Sequence, residues 1–232
     1  MHKPNCSANT ILYTLIMLAL HPEVQETLLV EINQICGDKV PTYDDFPNLV
    51  YPLCIMFETL RHFPPVVAMP KHSPTDQLLL GKYFVPAGTI LNLDAVNVHL
   101  DKTYWGDDAE VFNPSRFDGR KDMKKDVRTE TGDDAPGVPS EKIRLPERGA
   151  FIPFSEGSRS CLGMWLVICG VTVGRKFAQV EFVAILVMIT RRWKIELKEG
   201  WTREKVWEII DRSASILTLA PKQNIPLVYR RR

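Results

Sequence analysis

The sequence predicts a mainly α fold with small antiparallel β-sheets, that is, an α+β protein. Apolar residues recur at helical spacing near the N-terminus, before Pro64, and from Arg175 to Arg192. Short apolar runs bounded by glycine and proline follow Pro64 and end the chain, which is typical of short antiparallel strands. Helices therefore form most of the predicted core.

The composition is that of a globular protein with one sizeable core, since 45% of the 232 residues are hydrophobic and 25% are charged. The formal net charge of +1 provides no overall field that would attract nucleic acid, so we expect no nucleic-acid partner. Five cysteines, none in a C-x-x-C pair, indicate neither a disulfide framework nor a zinc knuckle. A reducing compartment fits this cysteine usage best.

Two helices are predicted from Ala8 to about Ile35, with Pro22 at the first position of the second helix. The first helix is apolar almost all round, so it must be buried on several sides. The few residues before it cannot supply those neighbours. We therefore expect a further segment upstream.

A third helix is predicted for the run VYPLCIMFETLRHF, which follows an acidic turn after Tyr43 and is stopped by Pro64 and Pro65. The next runs, QLLL, YFV and TILNLDAVNV, are separated by turns at Gly81 and Gly88. They are expected to form a small antiparallel sheet.

The second half of the chain begins with residues 118–149, whose charge, glycine and proline content predicts a long solvated loop. An apolar helix is expected from Arg175 to Arg192, and the final run SILTLAPKQNIPLVYR is expected to form strands. Apolar runs such as Ile11 to Leu20 fall short of the ~18 residues that a membrane span needs. We therefore expect no membrane-spanning helix in this chain.

The sharpest functional signal is F-S-E-G-S-R-S-C-L-G, residues 154–163, in which small residues let the backbone wrap closely around Cys161. A single cysteine is usually an inert buried residue, but the whole matching context reverses that interpretation here. The segment resembles the haem-binding loop of cytochromes P450, and the chain resembles the C-terminal part of such a domain, of the fungal type, from about Ser7 onwards.

The resemblance implies a haem b cofactor whose iron takes the Cys161 thiolate as its axial ligand. It also implies that Phe154 packs beside the ligand loop and that Arg159 pairs with a haem propionate. Gly157 and Gly163 would permit close backbone approach and amide hydrogen bonds to the sulfur. The loop at 154–163 is thus the candidate cofactor site.

The second feature is Glu58-Thr59-Leu60-Arg61, which places opposite charges one helical turn apart, a spacing that is also common in ordinary surface ion pairs. The resemblance implies that Glu58 and Arg61 join Arg116, from the run F-N-P-S-R-F, in a buried network. These three residues are structural candidates that stabilise the fold around the haem. No residue is assigned a catalytic role.

Other residues take expected roles from their positions in the resemblance. Lys71 stands where relatives often carry a basic residue for a haem propionate, although an exposed lysine at a strand edge is equally ordinary. Apolar positions that match the family's substrate pocket, and so imply an apolar substrate, are Val66, Val67, Ala68, Met69, Ile216 and Leu217. Packing or surface roles are expected for Trp105, His21, His62, His72 and His99.

Two functions stay open on this basis. In the first, the protein is a monooxygenase that binds O2, takes electrons from a flavin or iron–sulfur reductase, and inserts one oxygen atom into an apolar small molecule. In the second, it is a truncated, non-catalytic relic or splice product. The resemblance also implies that full-length members often sit in the endoplasmic reticulum membrane, facing the cytosol, but the location of this chain is not predicted.

The sequence departs from the family at two places. The resemblance implies that full-length members are about twice as long as this chain. The half that it lacks includes most of the helix whose threonine delivers protons to oxygen, and this chain has Cys6 where that threonine is usual. Residues 164–174 form an atypical insert of eleven residues between C-L-G and R-K-F. If helical, this insert would shift the following helix by ~16 Å. We hypothesise a retained intron, because Gly-Met-Trp and Val-Gly codons can carry splice-site sequences.

Overall fold

The computed structural model describes residues 6–122, 142–155, 161, 167–168, 171–172, 174–215 and 218–232. Within these residues the predicted mainly α fold with small antiparallel sheets is confirmed, with seven α-helices and five two-stranded antiparallel sheets. None of these described helices is both long and apolar enough to cross a membrane.

The first two helices, α1 (Cys6–Leu20) and α2 (Pro22–Cys36), lie where the sequence predicts them. In α1 the consecutive residues 13–18 are all buried, which is more than one full turn, so the helix is enclosed on every side there. Helix α2 instead buries one stripe, with Val24, Leu28 and Ile32 at intervals of four. Both helices pack against the central helix of the fold.

That central helix is α3 (Val50–His62), which is preceded by a 3-10 helix at Tyr43–Asn48 and ends before Pro64. Twelve consecutive residues of α3, 50–61, are buried. Apolar contacts with α1 and α2 cover part of this surface, and Thr14 donates a hydrogen bond to the Thr59 hydroxyl at 3.1 Å. A helix enclosed in this way can carry charged residues only if the fold supplies partners for them.

The middle sheet region is built from two strand pairs. Strand β1 (Ala68–His72) pairs antiparallel with β4 (Ile90–Asp94), and β2 (Gln77–Leu79) pairs with β3 (Tyr83–Val85). The prediction that TILNLDAVNV is strand throughout is wrong in its second half, because Ala95–Leu100 forms helix α4. The Asp94 carboxylate accepts a hydrogen bond from the Asn97 amide at 3.0 Å, and this N-cap outweighs the strand preference of the valines.

The two ends of the predicted solvated loop are fixed to the fold. After the short helix α5 (Lys102–Trp105) and the 3-10 helix Pro114–Phe117, Asp118 forms an antiparallel bridge with the buried Ile143. Arg120 contacts the carboxylates of Asp118 and Glu31 at 2.7 and 2.6 Å. The central part of the predicted loop, 123–141, lies outside the described residues.

The insert after the cysteine loop contains two short strands, β5 (Val167–Ile168) and β6 (Val171–Thr172), which pair antiparallel. Because antiparallel pairing reverses the chain, the eleven residues do not extend the next helix as a straight helical insert would. Helix α6 (Gly174–Arg192) begins directly after them, close to its predicted start at Arg175.

The C-terminal segment completes the core. Strand β7 (Trp193–Leu197) pairs with the last strand, β10 (Leu227–Arg231), and β8 (Ala214–Ser215) pairs with β9 (Leu219–Ala220). Helix α7 (Arg203–Asp211), which the sequence analysis did not predict, lies between them and is capped by Thr202. Helices α1, α2, α3 and α6 with β7 enclose one continuous apolar core.

Candidate functional site

A cavity of about 500 Å3 lies where separate parts of the chain meet. Its walls come from the first turns of α1, one side of α3, residues 65–71, residues 153–155 with Cys161, and the N-terminal half of α6. Most of the lining side chains are apolar. Both the volume and the apolar lining are typical of sites that hold a small molecule or a cofactor.

Cys161 lies at the wall of this cavity, and its side chain is exposed. Its backbone amide donates a hydrogen bond to the carbonyl oxygen of Phe154 at 2.9 Å, which ties the two ends of the loop together. Phe154 also lines the cavity and is partly buried. The other predicted loop residues, Gly157, Arg159 and Gly163, lie outside the described residues.

Lys71, on strand β1, brings a positive charge to the same cavity. Its ammonium group donates a hydrogen bond to the Ser155 hydroxyl at 3.0 Å. Ser155 has a positive φ of 61°, which is uncommon for a residue with a side chain and marks a turn at the start of the cysteine loop, residues 154–163. Strand β1 and the cysteine loop are therefore joined at the cavity rim by a side-chain contact that the sequence analysis did not predict.

The predicted substrate-lining residues divide into three groups. Val66 and Met69 line the cavity. Val67 and Ala68 lie between them, and the carbonyl oxygen of Val67 accepts a hydrogen bond from the Ala95 amide at 3.0 Å. Ile216 and Leu217 lie outside the described residues.

Glu58 and Arg61, on α3, form a fully buried bidentate ion pair. The Nε and Nη2 atoms of Arg61 lie 2.8 Å from the two carboxylate oxygens of Glu58, and both side chains have no exposed surface. Arg116 completes the cluster, with its Nε 3.3 Å from Glu58 Oε1. The backbone amide of Asn113 adds a hydrogen bond to the same oxygen at 2.8 Å. The structure thus brings together all three residues of the predicted network.

The partners of the buried Arg61 extend beyond Glu58. Its Nη1 atom donates to the carbonyl oxygens of Ala109 and His99 at 2.6 and 2.9 Å, and its guanidinium lies 4.9 Å from the centre of the Trp105 ring. Burial by itself raises the pKa of Glu58, but hydrogen bonds from Arg61 and His62 outweigh it and lower that pKa to about 2. Glu58 is therefore ionised in the folded protein at neutral pH.

His99 links this charge cluster to the loop that precedes the cysteine. Its Nδ1 lies 3.2 Å from the carbonyl oxygen of Arg61, and its Nε2 accepts the Ile152 amide at 2.9 Å. An acceptor at Nε2 requires a neutral ring with its proton on Nδ1. Burial lowers the pKa of His99 to about 4, in agreement with the neutral form. The predicted packing role of His99 is incomplete, because His99 also holds the backbone at Ile152, two residues before the cysteine loop.

Some cavity residues were missed by sequence reasoning. Glu181 lines the cavity from α6, beside Phe177, Ala178 and Phe182. The spacing of these four residues places them on one face of a helix, and this signal could have identified them. Among the described residues, no group of three or more histidine, cysteine, aspartate or glutamate side chains is arranged to hold a metal ion.

The fold and the site define an α+β protein with an apolar cavity, exposed thiols at the cavity wall, and a buried carboxylate–guanidinium network on the helix behind it. The sequence profile described as Cytochrome P450 matches residues 4–225. The chain belongs to the cytochrome P450 family.

Individual relatives give the same result. Cytochrome P450 monooxygenase 124 of Postia placenta is 34% identical over 97% of this chain and 39% of its own length. Cytochrome P450 734A5 of Oryza sativa subsp. japonica is 32% identical over 96% of this chain and 34% of its own length. Secologanin synthase 1 of Catharanthus roseus is 31% identical over 94% of this chain and 34% of its own length. The chain spans little more than a third of the length of these curated relatives.

Proposed function

We propose that this chain forms the haem-binding part of a monooxygenase that inserts one atom of O2 into an apolar small molecule. The observation that carries the proposal is the exposed thiol of Cys161 at the wall of an apolar cavity of about 500 Å3. The residues present fit a haem b, because a thiolate is a suitable iron ligand, apolar walls suit the macrocycle, and Lys71 offers a cation for a propionate.

Each part of the site has a separate task in this proposal. Cys161 binds the iron, and the hydrogen bond from its amide to Phe154 holds the loop in place. Lys71 and Arg159 pair with the haem propionates, while Gly157 and Gly163 allow the backbone to approach the sulfur. When bound, the haem supplies the oxygen chemistry, since a thiolate ligand favours cleavage of the O–O bond.

The surrounding residues orient this site and exclude water from it. Val66 and Met69 present apolar surface to the cavity, which supports an apolar substrate, and Val67, Ala68, Ile216 and Leu217 are proposed to complete that surface. Glu58, Arg61 and Arg116 hold the framework behind α3. A flavin or iron–sulfur reductase is the proposed source of electrons.

Haem titration tests the proposal directly. The reduced 232-residue chain is titrated with haemin, and the absorption spectrum is recorded before and after addition of dithionite and CO. We expect one haem per chain, with the strongly red-shifted carbonyl spectrum of a thiolate-ligated iron. The Cys161→Ser variant should bind at least roughly 100-fold more weakly, since outer-shell changes alone cost 10–100-fold in metal affinity.

The matched control is Cys36→Ser, which replaces a cysteine outside the cavity. It should leave haem affinity and spectrum unchanged. Equal affinity and an equal spectrum for wild type and Cys161→Ser would contradict the proposed ligand. Haem binding without product formation, when both reductase types and apolar substrates are supplied, would favour the non-catalytic alternative.

A further inference from the structure

The hairpin formed by β2 and β3 presents apolar side chains to solvent. Leu80, at its tip, is 91% exposed, which is the highest value for a large apolar side chain among the described residues. Leu78 and Phe84 are 59% and 65% exposed, and they lie directly opposite each other in the strand pairing, so both project from one face. Val85, at the base, is buried. The hairpin is therefore packed at its base and apolar at its tip and outer face.

The turn at the tip holds Leu80 in a conformation that leucine rarely adopts. The Lys82 amide donates to the carbonyl oxygen of Leu79 at 3.0 Å, which closes a two-residue turn. Both central residues, Leu80 and Gly81, have positive φ values, of 53° and 65°. Such turns favour asparagine, aspartate or glycine at the first central position. Because the backbone and the exposure both disfavour leucine here, neither the turn nor the core explains this side chain.

Hydrogen bonds at the base hold the hairpin out from the rest of the protein. The amide of the buried Ser73 donates to the carbonyl oxygen of Thr89 at 2.9 Å, and the Ser73 carbonyl oxygen accepts from the Gly88 amide at 2.8 Å. The Asp76 carboxylate accepts a hydrogen bond from the Ala87 amide at 2.7 Å. Strands β2 and β3 pack chiefly on each other and not on the helices. The apolar tip is thus a braced projection.

The charge and the aromatic ring near the tip match the surface of an anionic lipid bilayer. Lys82 is the one charged residue in 77–85, so the tip has a positive charge and no carboxylate. Its ammonium group lies 5.1 Å from the centre of the half-exposed Tyr83 ring. Tyrosine and lysine beside apolar side chains are typical of the boundary between lipid headgroups and acyl chains, where the ammonium group contacts anionic headgroups.

We propose that the tip of the β2–β3 hairpin binds the surface of an anionic lipid bilayer, with Leu80 and Phe84 at the acyl boundary and Lys82 among the headgroups. Only the tip enters, because the unpaired backbone groups of the strand edges are costly in hydrocarbon. The hairpin alone is too small for a stable protein interface, which typically involves about 20–30 residues on each side. None of residues 77–85 lines the cavity, so this surface is separate from the proposed haem site.

Co-sedimentation of the 232-residue chain with lipid vesicles tests this assignment. Vesicles of phosphatidylcholine mixed with phosphatidylserine are compared with vesicles of phosphatidylcholine alone. We expect stronger binding to the anionic vesicles, and this preference should weaken as salt is added, because salt screens the attraction of Lys82. Lys82→Gln should lose most of the preference and keep the weaker binding to neutral vesicles. Equal binding of the wild-type chain to both kinds of vesicle would overturn the anionic assignment.

The sharpest variant is Leu80→Asn, which removes the apolar tip and introduces a residue that the turn favours. Its stability in urea should equal or exceed that of wild type. Its affinity for anionic vesicles should nevertheless fall by about tenfold or more, since the burial of one leucine side chain accounts for such a factor. Phe84→Ser should show a similar loss. The matched control, Val40→Asn, removes an exposed valine outside the hairpin and should bind as wild type does.

Two results would overturn the proposal. The first is unchanged vesicle binding by a folded Leu80→Asn variant. The second is an absence of vesicle binding by wild type, together with self-association in lipid-free solution that Leu80→Asn abolishes, because the hairpin would then bind a second copy of the chain. Haem titration of the same variants is independent of either result, so this proposal and the proposed function can fail separately.

Discussion

The two faces of helix α3 serve opposite purposes. Met56 and Leu60 line the cavity, whereas Glu58 and Arg61, which lie on the other side of the helix, form the buried ion pair. On the charged face, the Glu58 carboxylate contacts Arg116 and a backbone amide, and the Arg61 guanidinium donates to a backbone carbonyl oxygen. On the cavity face the polar groups, such as the Cys161 thiol, stand at the edge of an apolar space.

The difference identifies the region whose polar contacts are complete within the protein. The charged face satisfies its own hydrogen bonds, so it contributes a rigid framework as soon as the chain folds. The cavity face instead supplies volume and apolar surface, which the proposed haem would fill. His99 couples the two, since it bonds both to Arg61 and to Ile152 at the start of the loop.

The largest expected effect comes from breaking the charged face. Arg61→Met keeps most of the side-chain volume but leaves the Glu58 carboxylate buried without its bidentate partner. Removing one member of a buried pair typically costs about 3–5 kcal/mol of unfolding free energy. Urea unfolding followed by circular dichroism measures this loss.

The control for this prediction is Arg230→Met. Arg230 also pairs with a glutamate, Glu196, at 2.6 Å, but its side chain is largely exposed. Little change in stability is expected, because water screens such a pair. Equal losses in the two variants would show that the burial of the Glu58 pair has no special energetic role.

The next effect is a loss of stability on acidification. The pKa of His99 falls from its ordinary value of 6.5 to about 4 on folding, so the unfolded chain binds the proton more readily. Stability from neutral His99 is complete above pH 6.5 and is lost as the pH falls towards 4, by about 3 kcal/mol in total. His62, whose pKa burial also lowers, acts in the same direction.

Urea midpoints between pH 8 and pH 4 measure this dependence. His99→Gln should be less stable than wild type at pH 8 and should lose less stability on acidification. The matched His72→Gln variant replaces an exposed histidine and should keep the wild-type dependence. A wild-type midpoint that stays constant from pH 7 to pH 5 would contradict the neutral, buried state of His99.

The sequence predicted local features well, because local patterns determine them. Pro22 at the start of α2, the apolar run of α6 and the stop at Pro64 all depend on residues within a few positions of one another. The spacing of Glu58 and Arg61 likewise indicated a pair on one helix face. Only the family resemblance implied that this pair is buried and that it contacts Arg116.

Contacts between distant residues could not be predicted from the sequence. Lys71 meets Ser155, and His99 meets Ile152, across separations in the chain for which no periodicity gives a signal. The change from strand to helix at Asp94 depends on the hydrogen bond that its side chain accepts at the helix N-terminus, and the surrounding strand-forming residues gave no sign of it. The pairing within the insert was also missed, since a short valine-rich run can be helix or strand.

The smallest effect distinguishes two kinds of cysteine. Cys54 lies on α3 and is completely buried in the apolar core, and this burial raises its pKa strongly. Cys54→Ser places a hydroxyl in that apolar position, and an unsatisfied polar group there costs about 1–3 kcal/mol.

Cys161→Ser should instead change the unfolding free energy of the haem-free chain by no more than about 0.5 kcal/mol, because the side chain is exposed. Urea unfolding of both variants under reducing conditions makes the comparison. A loss for Cys161→Ser as large as that for Cys54→Ser would identify Cys161 as part of the packed core. A negligible loss of unfolding free energy for Cys161→Ser, combined with impaired haem binding, would show that Cys161 serves the cavity and not the stability of the fold.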